Sequence, residues 1–506
     1  MTEPLSRLSS WLDAHAGSHA IVALLLLLAA VLGDASARSQ LQGIEPSIRS
    51  DDALEHAVIA RRLARGEGFT TGIIYPAELR LGADAAHPAI GQPPLWPLVL
   101  AAPFAAFGAD DGVARATTIA CFAALVAVSA ALAGARGGLL AGAVAAIAVA
   151  TTDESRLLAL EPTSATLFSV AIALAFWLCA AGAPAFAVGL VCGLAYLTRY
   201  GGLLLLPAAL ALVFARRRDA RALGACAAGF AVVALPWWIR NAWVAGQPFA
   251  SLQNLSLWAP SLAPAAGSGP LFETSPAAGS ASELYVNLRI QLPGLVAHLP
   301  FASVNLAAFA GVLLGCVRRD AYCGWLAAIG IASLGLAALT HPTGAELVPW
   351  IPAWIALGTA AWMRHGGWLR APALALLLAA PLLPTLPTPM RDLRTIFHTR
   401  AFLRDPSTRE SSAAREALRT CVGAGARVIA QAAPRIAWQA DAIAIYAPNA
   451  PDAFWQIAEQ QHVAFAQRTS LGEIDPGRFA AEFEQRPGCP LDIYARRADA
   501  APPASR

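Results

Sequence analysis

The sequence predicts a mainly α-helical, polytopic transmembrane bundle of about eleven spans, with a small C-terminal α/β domain. Three observations carry that prediction. Apolar residues make up 57% of the 506 and charged residues only 14%, where a soluble domain averages about 25% charged. Apolar runs recur through the first 388 residues, near the length of about 20 that crosses a hydrocarbon core. Beyond residue 388 they stop, and short strand-like and helix-like patterns alternate instead.

In order, the candidate spans are 17–34, 114–134, 138–152, 164–182, 184–198, 200–215, 222–239, 301–317, 321–340, 345–363 and 371–388. The run at 20–33, ending near Ala35-Ser36-Ala37, also has the look of a secretory signal. The many apolar segments after it, and a preceding tail that is not clearly basic, favour a span. Charge then orients the bundle. Arg136, Arg216-Arg217-Arg218 with Arg221, Arg318-Arg319, and Arg364, His365 and Arg370 fall in loops that one assignment places together, and the positive-inside rule makes that side cytoplasmic. The outer side receives 34–113, Thr151–Pro162, 240–300, the turn at 341–344 and everything after 388. Residues 93–107 are apolar but short and carry four prolines, a poor spanning helix. They read as a juxtamembrane or re-entrant helix within the first outer loop. A crossing there would move Asp51 and Asp52 to the cytoplasm.

The chain thus divides into a membrane module, 1–388, and an outer α/β domain, 389–506. In the latter, strand patterns at Arg427–Gln431, Ala442–Tyr446, His462–Gln467 and Leu491–Ala495 alternate with helical patterns at Asp452–Gln460 and Pro476–Glu484. Six of the eight cysteines lie in or beside apolar stretches and show no metal-ligand spacing. The remaining two, Cys421 and Cys489, are either a disulfide, which an outer compartment permits, or two free thiols. A net charge of +3, with every basic side chain an arginine, gives no argument for nucleic acid.

Candidate chemistry gathers on the outer side. Ser50-Asp51-Asp52 opens a helical pattern through Leu63, and an acid there suits an N-cap and the helix dipole. Capping explains one aspartate more easily than two, so the other is a candidate general base against an acceptor hydroxyl. Glu161 sits between Leu158-Ala159-Leu160 and an apolar helix, where an idle carboxylate is costly; Asp153 and Glu154 share its loop. Arg199 and Arg240 lie at outer ends of spans, against the charge rule. Each offers a fork for a lipid phosphate or snorkels to headgroups. His341 and Glu346 are weaker candidates at a later outer turn.

Four motifs in order carry a resemblance. The acidic pair with its Ala-rich helix, Gly66-Glu67-Gly68-Phe69 and the Gln92-Pro93-Pro94-Leu95-Trp96 entry to an apolar helix form the first. Glu161-Pro162-Thr163, Leu197-Thr198-Arg199-Tyr200-Gly201-Gly202 and Pro236-Trp237-Trp238-Ile239-Arg240-Asn241 follow. Together they resemble the GT-C superfamily of integral membrane glycosyltransferases, which includes protein mannosyltransferases and lipid A aminoarabinose transferases. The likeness covers roughly residues 15–250 and, beyond them, the architecture.

That resemblance implies a GT-C-like inverting hexosyl- or pentosyltransferase of the bacterial inner membrane. A polyprenyl-phosphate-linked sugar would be the donor and a glycan, lipid or protein the acceptor, with membrane lipids around it. Asp52 matches the family's proposed base, with Asp51 beside it and Glu161 as a second acid. His56 stands where an aromatic residue is often found, and with Arg199, Tyr200, Arg240, Asn241 and His341 would meet substrate. Asp52 and Glu161 would hold Mg²⁺ or Mn²⁺, although family members differ in metal need. The rival reading is a transporter or lipid flippase, whose acids would serve coupling ions. A scaffold presenting the C-terminal domain is a third.

Overall fold

The computed structural model describes residues 19–42, 47–84, 86–152, 155–156, 158–251, 289, 306–340, 344–379, 412–468 and 474–497. The apolar helices are α1 (His19–Leu41), α4 (Asp111–Gly137), α5 (Leu139–Thr151), α6 (Ser164–Ala181), α7 (Ala185–Thr198), α8 (Leu205–Arg217), α9 (Ala220–Ala245), α10 (Leu306–Val317), α11 (Ala321–Thr340), α12 (Ile351–His365) and α13 (Arg370–Ala379). One lies on each of the eleven predicted segments. Among the described residues four helices are long and apolar enough to cross a membrane: Ala20–Ser39, Asp111–Gly137, Tyr200–Arg217 with its leading 3-10 turn, and Ala220–Ala245. α1 runs unbroken through Ala35-Ser36-Ala37 and packs on α4 and α5, with Ala29 and Ala37 buried, as a structural helix does. α7 and α9 touch backbone to backbone: a Cβ on Gly189 would lie 1.9 Å from the Cys226 carbonyl oxygen, so only glycine allows that crossing.

The stretch between α1 and α4 contains α2 (Asp51–Ala64), the two-residue strand β1 (Ile73–Ile74) and α3 (Leu95–Phe107). α3 is the proline-rich segment, and at 13 residues it reaches about 20 Å, short of a core about 30 Å thick. One face, Trp96, Leu100 and Phe104, is buried against α2 and against Trp438 of the C-terminal segment. Leu98 and Phe107 on the other face are exposed.

The C-terminal segment supplies α14 (Ser412–Val422), β2 (Arg427–Ala430), α15 (Ala433–Ala440), β3 (Ile443–Tyr446), α16 (Pro451–Gln460), β4 (Phe465–Gln467), α17 (Pro476–Glu482), β5 (Phe483–Gln485) and β6 (Ile493–Arg496). All four predicted strands are present, and β5 is an addition. The sheet order is β1-β3-β2-β4-β6-β5, parallel from β1 to β4 and antiparallel beyond. The C-terminal sheet is therefore not closed on itself. It takes its edge strand from the stretch between α1 and α4, Ile73 beside Ala444 and Ile74 beside Ile445. One sheet face shares a core with α2, α3 and α15, and the other packs on α16 and α17. Cys421 and Cys489 are disulfide-bonded, Cα atoms 5.8 Å apart.

Candidate functional site

Ser50 is the cap of α2; its Oγ accepts from the Ala53 N–H at 3.3 Å. Neither aspartate is needed for that task. Asp51 is exposed, while Asp52, in the first turn, is 39% exposed. Three side chains converge on the Asp52 carboxylate: Arg199 Nη2 at 3.7 Å, His56 Nε2 at 3.6 Å and Gln92 Nε2 at 3.5 Å. None is as short as a strong charged hydrogen bond, so the carboxylate is held loosely and stays open.

His56 lies one turn below, wholly buried, and neither ring nitrogen has a hydrogen-bond partner among the described residues. Burial pushes its pKa down to about 4, so at neutral pH it is an uncharged neighbour of Asp52 rather than an ion-pair partner. Arg199 closes α7, and its Nε donates to Ser164 Oγ at 3.0 Å. Gly202 lets the following turn fold onto α7, since a Cβ there would lie 2.5 Å from the Ala195 backbone. The Leu197–Gly202 motif thus has a steric reason as well as a chemical one.

Glu161 anchors the start of α2. Its Oε2 accepts from the Arg49 N–H at 3.3 Å and it also receives the Ser50 N–H, while Arg115 lies near. Burial lifts its pKa to about 7. Next to it, Trp96 Nε1 donates to the Pro162 carbonyl at 2.7 Å. Residues 161–164 therefore tie together α2, α3 and, through Ser164, Arg199.

Arg240 stands further along the rim. It donates to the Phe69 carbonyl and to Asn241 Oδ1, each at 3.0 Å, and lies over the Phe69 and Trp237 rings. No carboxylate pairs with it among the described residues, and no hydrogen bond or ion pair joins it to Asp52. Asn241 is buried and donates to the Ala250 carbonyl. Tyr200 accepts from Trp237 Nε1 at 3.2 Å. His341, Asp153, Glu154 and the Glu346 side chain lie outside the described residues.

The sequence reading missed Glu55, Gln92 and Tyr75. Glu55 is 7% exposed, accepts from Gln92 Nε2 at 2.7 Å and from the Tyr75 hydroxyl at 2.6 Å, and burial lifts its pKa to about 7. Tyr75 stacks on Tyr446 of β3, centroids 4.5 Å apart. The available signal was spacing: Glu55 follows Asp52 by three positions, which shares a helix face. These groups and Glu78 border a cavity of about 20 Å³, room for roughly one water.

No family model and no curated protein matches the sequence. Solved structures do. ArnT from Cupriavidus metallidurans bound to undecaprenyl phosphate is 16% identical, with a TM-score of 0.56 over 96% of this chain and 100% of its own. Its apo state gives 0.57 at 15% identity, over the same shares of the two chains. The Archaeoglobus fulgidus oligosaccharyltransferase in complex with zinc and sulfate gives 0.54 at 13% identity, over 94% of this chain and 74% of its own. The chain has the GT-C fold. With its apolar helices, that makes it an integral membrane protein.

Within the GT-C frame, the expected residues divide into two groups. Asp52, His56 and Arg199 come together, with Glu161 behind them as a support of α2. Arg240, Tyr200 and Asn241 form a second, aromatic-lined patch. The expected Mg²⁺ or Mn²⁺ gains no support. Such ions take several oxygen ligands, whereas Asp52 faces a guanidinium, an imidazole and an amide nitrogen, and Glu161 Oε2 is occupied by backbone N–H groups. Among the described residues no three His, Cys, Asp or Glu side chains are grouped to hold a metal.

Proposed function

We propose that this chain is an inverting glycosyltransferase that moves a hexosyl or pentosyl group from a polyprenyl-phosphate donor to an acceptor hydroxyl. The observation carrying this reading is the Asp52–Arg199 pair. A half-exposed, loosely held carboxylate sits beside a fixed cation, on a fold shared with a protein solved with undecaprenyl phosphate. The Asp52 carboxylate takes the acceptor's hydroxyl proton as its oxygen bonds to the anomeric carbon from the face opposite the phosphate. The bond from that carbon to the phosphate oxygen breaks, and the lipid phosphate leaves with the electron pair. Configuration inverts in this single displacement. Arg240 is the better cation for the phosphate, because Arg199 already faces a carboxylate. Charge neutralisation of this kind is often the largest contribution to rate.

About eleven spans, the site on the extracytoplasmic side and residence in a bacterial inner membrane belong to the same reading. The Cys421–Cys489 bond supports the sidedness, since such bonds persist in oxidising compartments. In this reading α3 lies under the outer loop rather than crossing, in keeping with its packing on α2 and Trp438, and Asp52 stays on the side of the sheet.

Purified protein incubated with labelled polyprenyl-phosphate sugars tests the proposal. Release of free polyprenyl phosphate with label on an acceptor is expected, and Asp52→Asn should abolish it while leaving the protein folded. Full turnover in that variant would remove Asp52 as base. Movement of intact donor lipid without cleavage would make the chain a transporter.

A further inference from the structure

Neither Glu55 nor Gln92 faces a reacting atom, yet both are joined to Asp52. The single Gln92 Nε2 lies 2.7 Å from Glu55 Oε2 and 3.5 Å from Asp52 Oδ1. An amide nitrogen carries two hydrogens, so one NH₂ group serves two carboxylates. Turned over, the amide would set its oxygen against both acids. The pair of carboxylates therefore fixes which way Gln92 faces.

Glu55 is itself held. Its other oxygen takes the Tyr75 hydroxyl at 2.6 Å, and Tyr75 stacks on Tyr446 from the C-terminal sheet. Gln92 enters α3 through Pro93-Pro94, and Trp96 pins that entry to the Pro162 carbonyl. The carboxylate of Glu55 is too enclosed to meet an acceptor. A buried carboxylate is costly unless its oxygens are engaged, and here the engagement leads to Asp52.

We propose that Glu55, acting through Gln92, is a positioning residue that keeps the Asp52 carboxylate in reach of the acceptor hydroxyl and away from a closed ion pair with Arg199; this rests on the glycosyltransferase reading of the site. Asp52 is balanced between an amide at 3.5 Å and a guanidinium at 3.7 Å. When Glu55 no longer orients Gln92, the amide side of that balance is lost and Asp52 moves onto Arg199. A carboxylate paired closely with a guanidinium is a weaker base.

The test compares Glu55→Gln, Gln92→Ala and the double variant with wild type, by release of polyprenyl phosphate. Each single variant should lower kcat, by up to about 100-fold if the base shifts by about 1 Å, with donor KM unchanged. The double variant should be no slower than the worse single, because both act along one line. Wild-type kcat in Glu55→Gln, a rise in donor KM in place of the fall in kcat, or two losses that multiply, overturns the proposal. The transferase reading fails separately, by full activity in Asp52→Asn. A readout independent of turnover is an experimental structure of Glu55→Gln. Gln92 should have left Asp52, with the carboxylate closed on Arg199; an unchanged Gln92–Asp52 contact overturns the proposal whatever the activity.

Discussion

Arg61 is expected to decide whether the C-terminal sheet stays on α2. Its Nη1 and Nη2 donate to the Trp438 and Ala437 carbonyls at 2.6 and 2.7 Å, and Nη2 lies 2.9 Å from Asp441 Oδ1. Those carbonyls end α15, where a cation also meets the negative end of the helix dipole. The side chain is almost fully buried and lies over the Trp438 ring at 4.8 Å. Arg61→Met keeps the apolar stem but strips both carbonyls and leaves Asp441 with Arg65. Leaving a buried hydrogen-bond acceptor without its donor costs about 1–3 kcal/mol. Arg65 is the control: its contact with Asp441 is shorter, 2.6 Å, but its side chain is 46% exposed. Exposed pairs contribute about 0–1 kcal/mol, so Arg65→Met should cost no more than that.

Amide hydrogen exchange across α15 and β3, in detergent, reads the local opening free energy directly. Arg61→Met should speed exchange there far more than Arg65→Met. Equal protection in the two variants would refute the reasoning, because Arg61 is buried and holds two carbonyls, whereas Arg65 is half-exposed. Acid gives a second check. Burial pushes the Asp441 pKa up, but Arg61 and Arg65 together pull it below the ordinary 3.8. Its contribution is therefore present above that value and lost as pH falls through the lowered one. In Arg61→Met much of this acid sensitivity should disappear.

Three further outcomes follow from the site and the sheet. Arg240→Gln should raise donor KM by about 10- to 100-fold, the worth of a hydrogen bond to a charged group, with a smaller change in kcat; an unchanged KM removes Arg240 from the phosphate. Burial lifts Glu55 and Glu161 to about 7 and Glu78 to about 8, from an ordinary 4.5. The folded state then binds these protons more tightly, so stability is full below 4.5 and falls as pH rises through 7 to 8. Exchange of α2 amides, corrected for intrinsic rate, should be slower at low pH, and Glu78→Gln should flatten part of that slope. Finally, Cys421 and Cys489 are separated by 68 residues, a loop whose closure is worth about 4 kcal/mol in the chain-entropy account. Cys421→Ser should lower the denaturant midpoint of the sheet without changing kcat at low temperature.

Much of the fold was legible because it depends on local patterns. Apolar runs locate the helices wherever the surroundings are apolar on every side, and alternating residues locate β2, β3, β4 and β6 within a residue or three. What failed was non-local. Ile73-Ile74 is too short to read as a strand, and becomes one only because β3 offers an edge. Phe483 and Glu484 read as the end of a helix, yet Phe483 leaves it to pack beside Phe454 and Phe479. Such choices are made by partners distant in sequence, which period alone cannot name.

The site divides along the same line. Two acids in one helical turn exceed what capping needs, which marked the pair, and the family resemblance rather than the spacing singled out Asp52; the structure adds that Ser50 is the cap. Glu55 was equally visible as a letter but not as a role. Asp52 and Glu55 share a face of α2, and what separates them is depth, Asp52 being partly exposed and Glu55 buried. That depth is set by Tyr75 and Tyr446, which close over Glu55 only once β1 and β3 have paired. An acid's chemistry follows from its surroundings rather than its spacing. In this protein the surroundings of the candidate base come from three separated stretches of chain. The sheet that looks like an appendage in the sequence is therefore one wall of the candidate site, and conditions that unfold it should abolish turnover before the helical bundle unfolds.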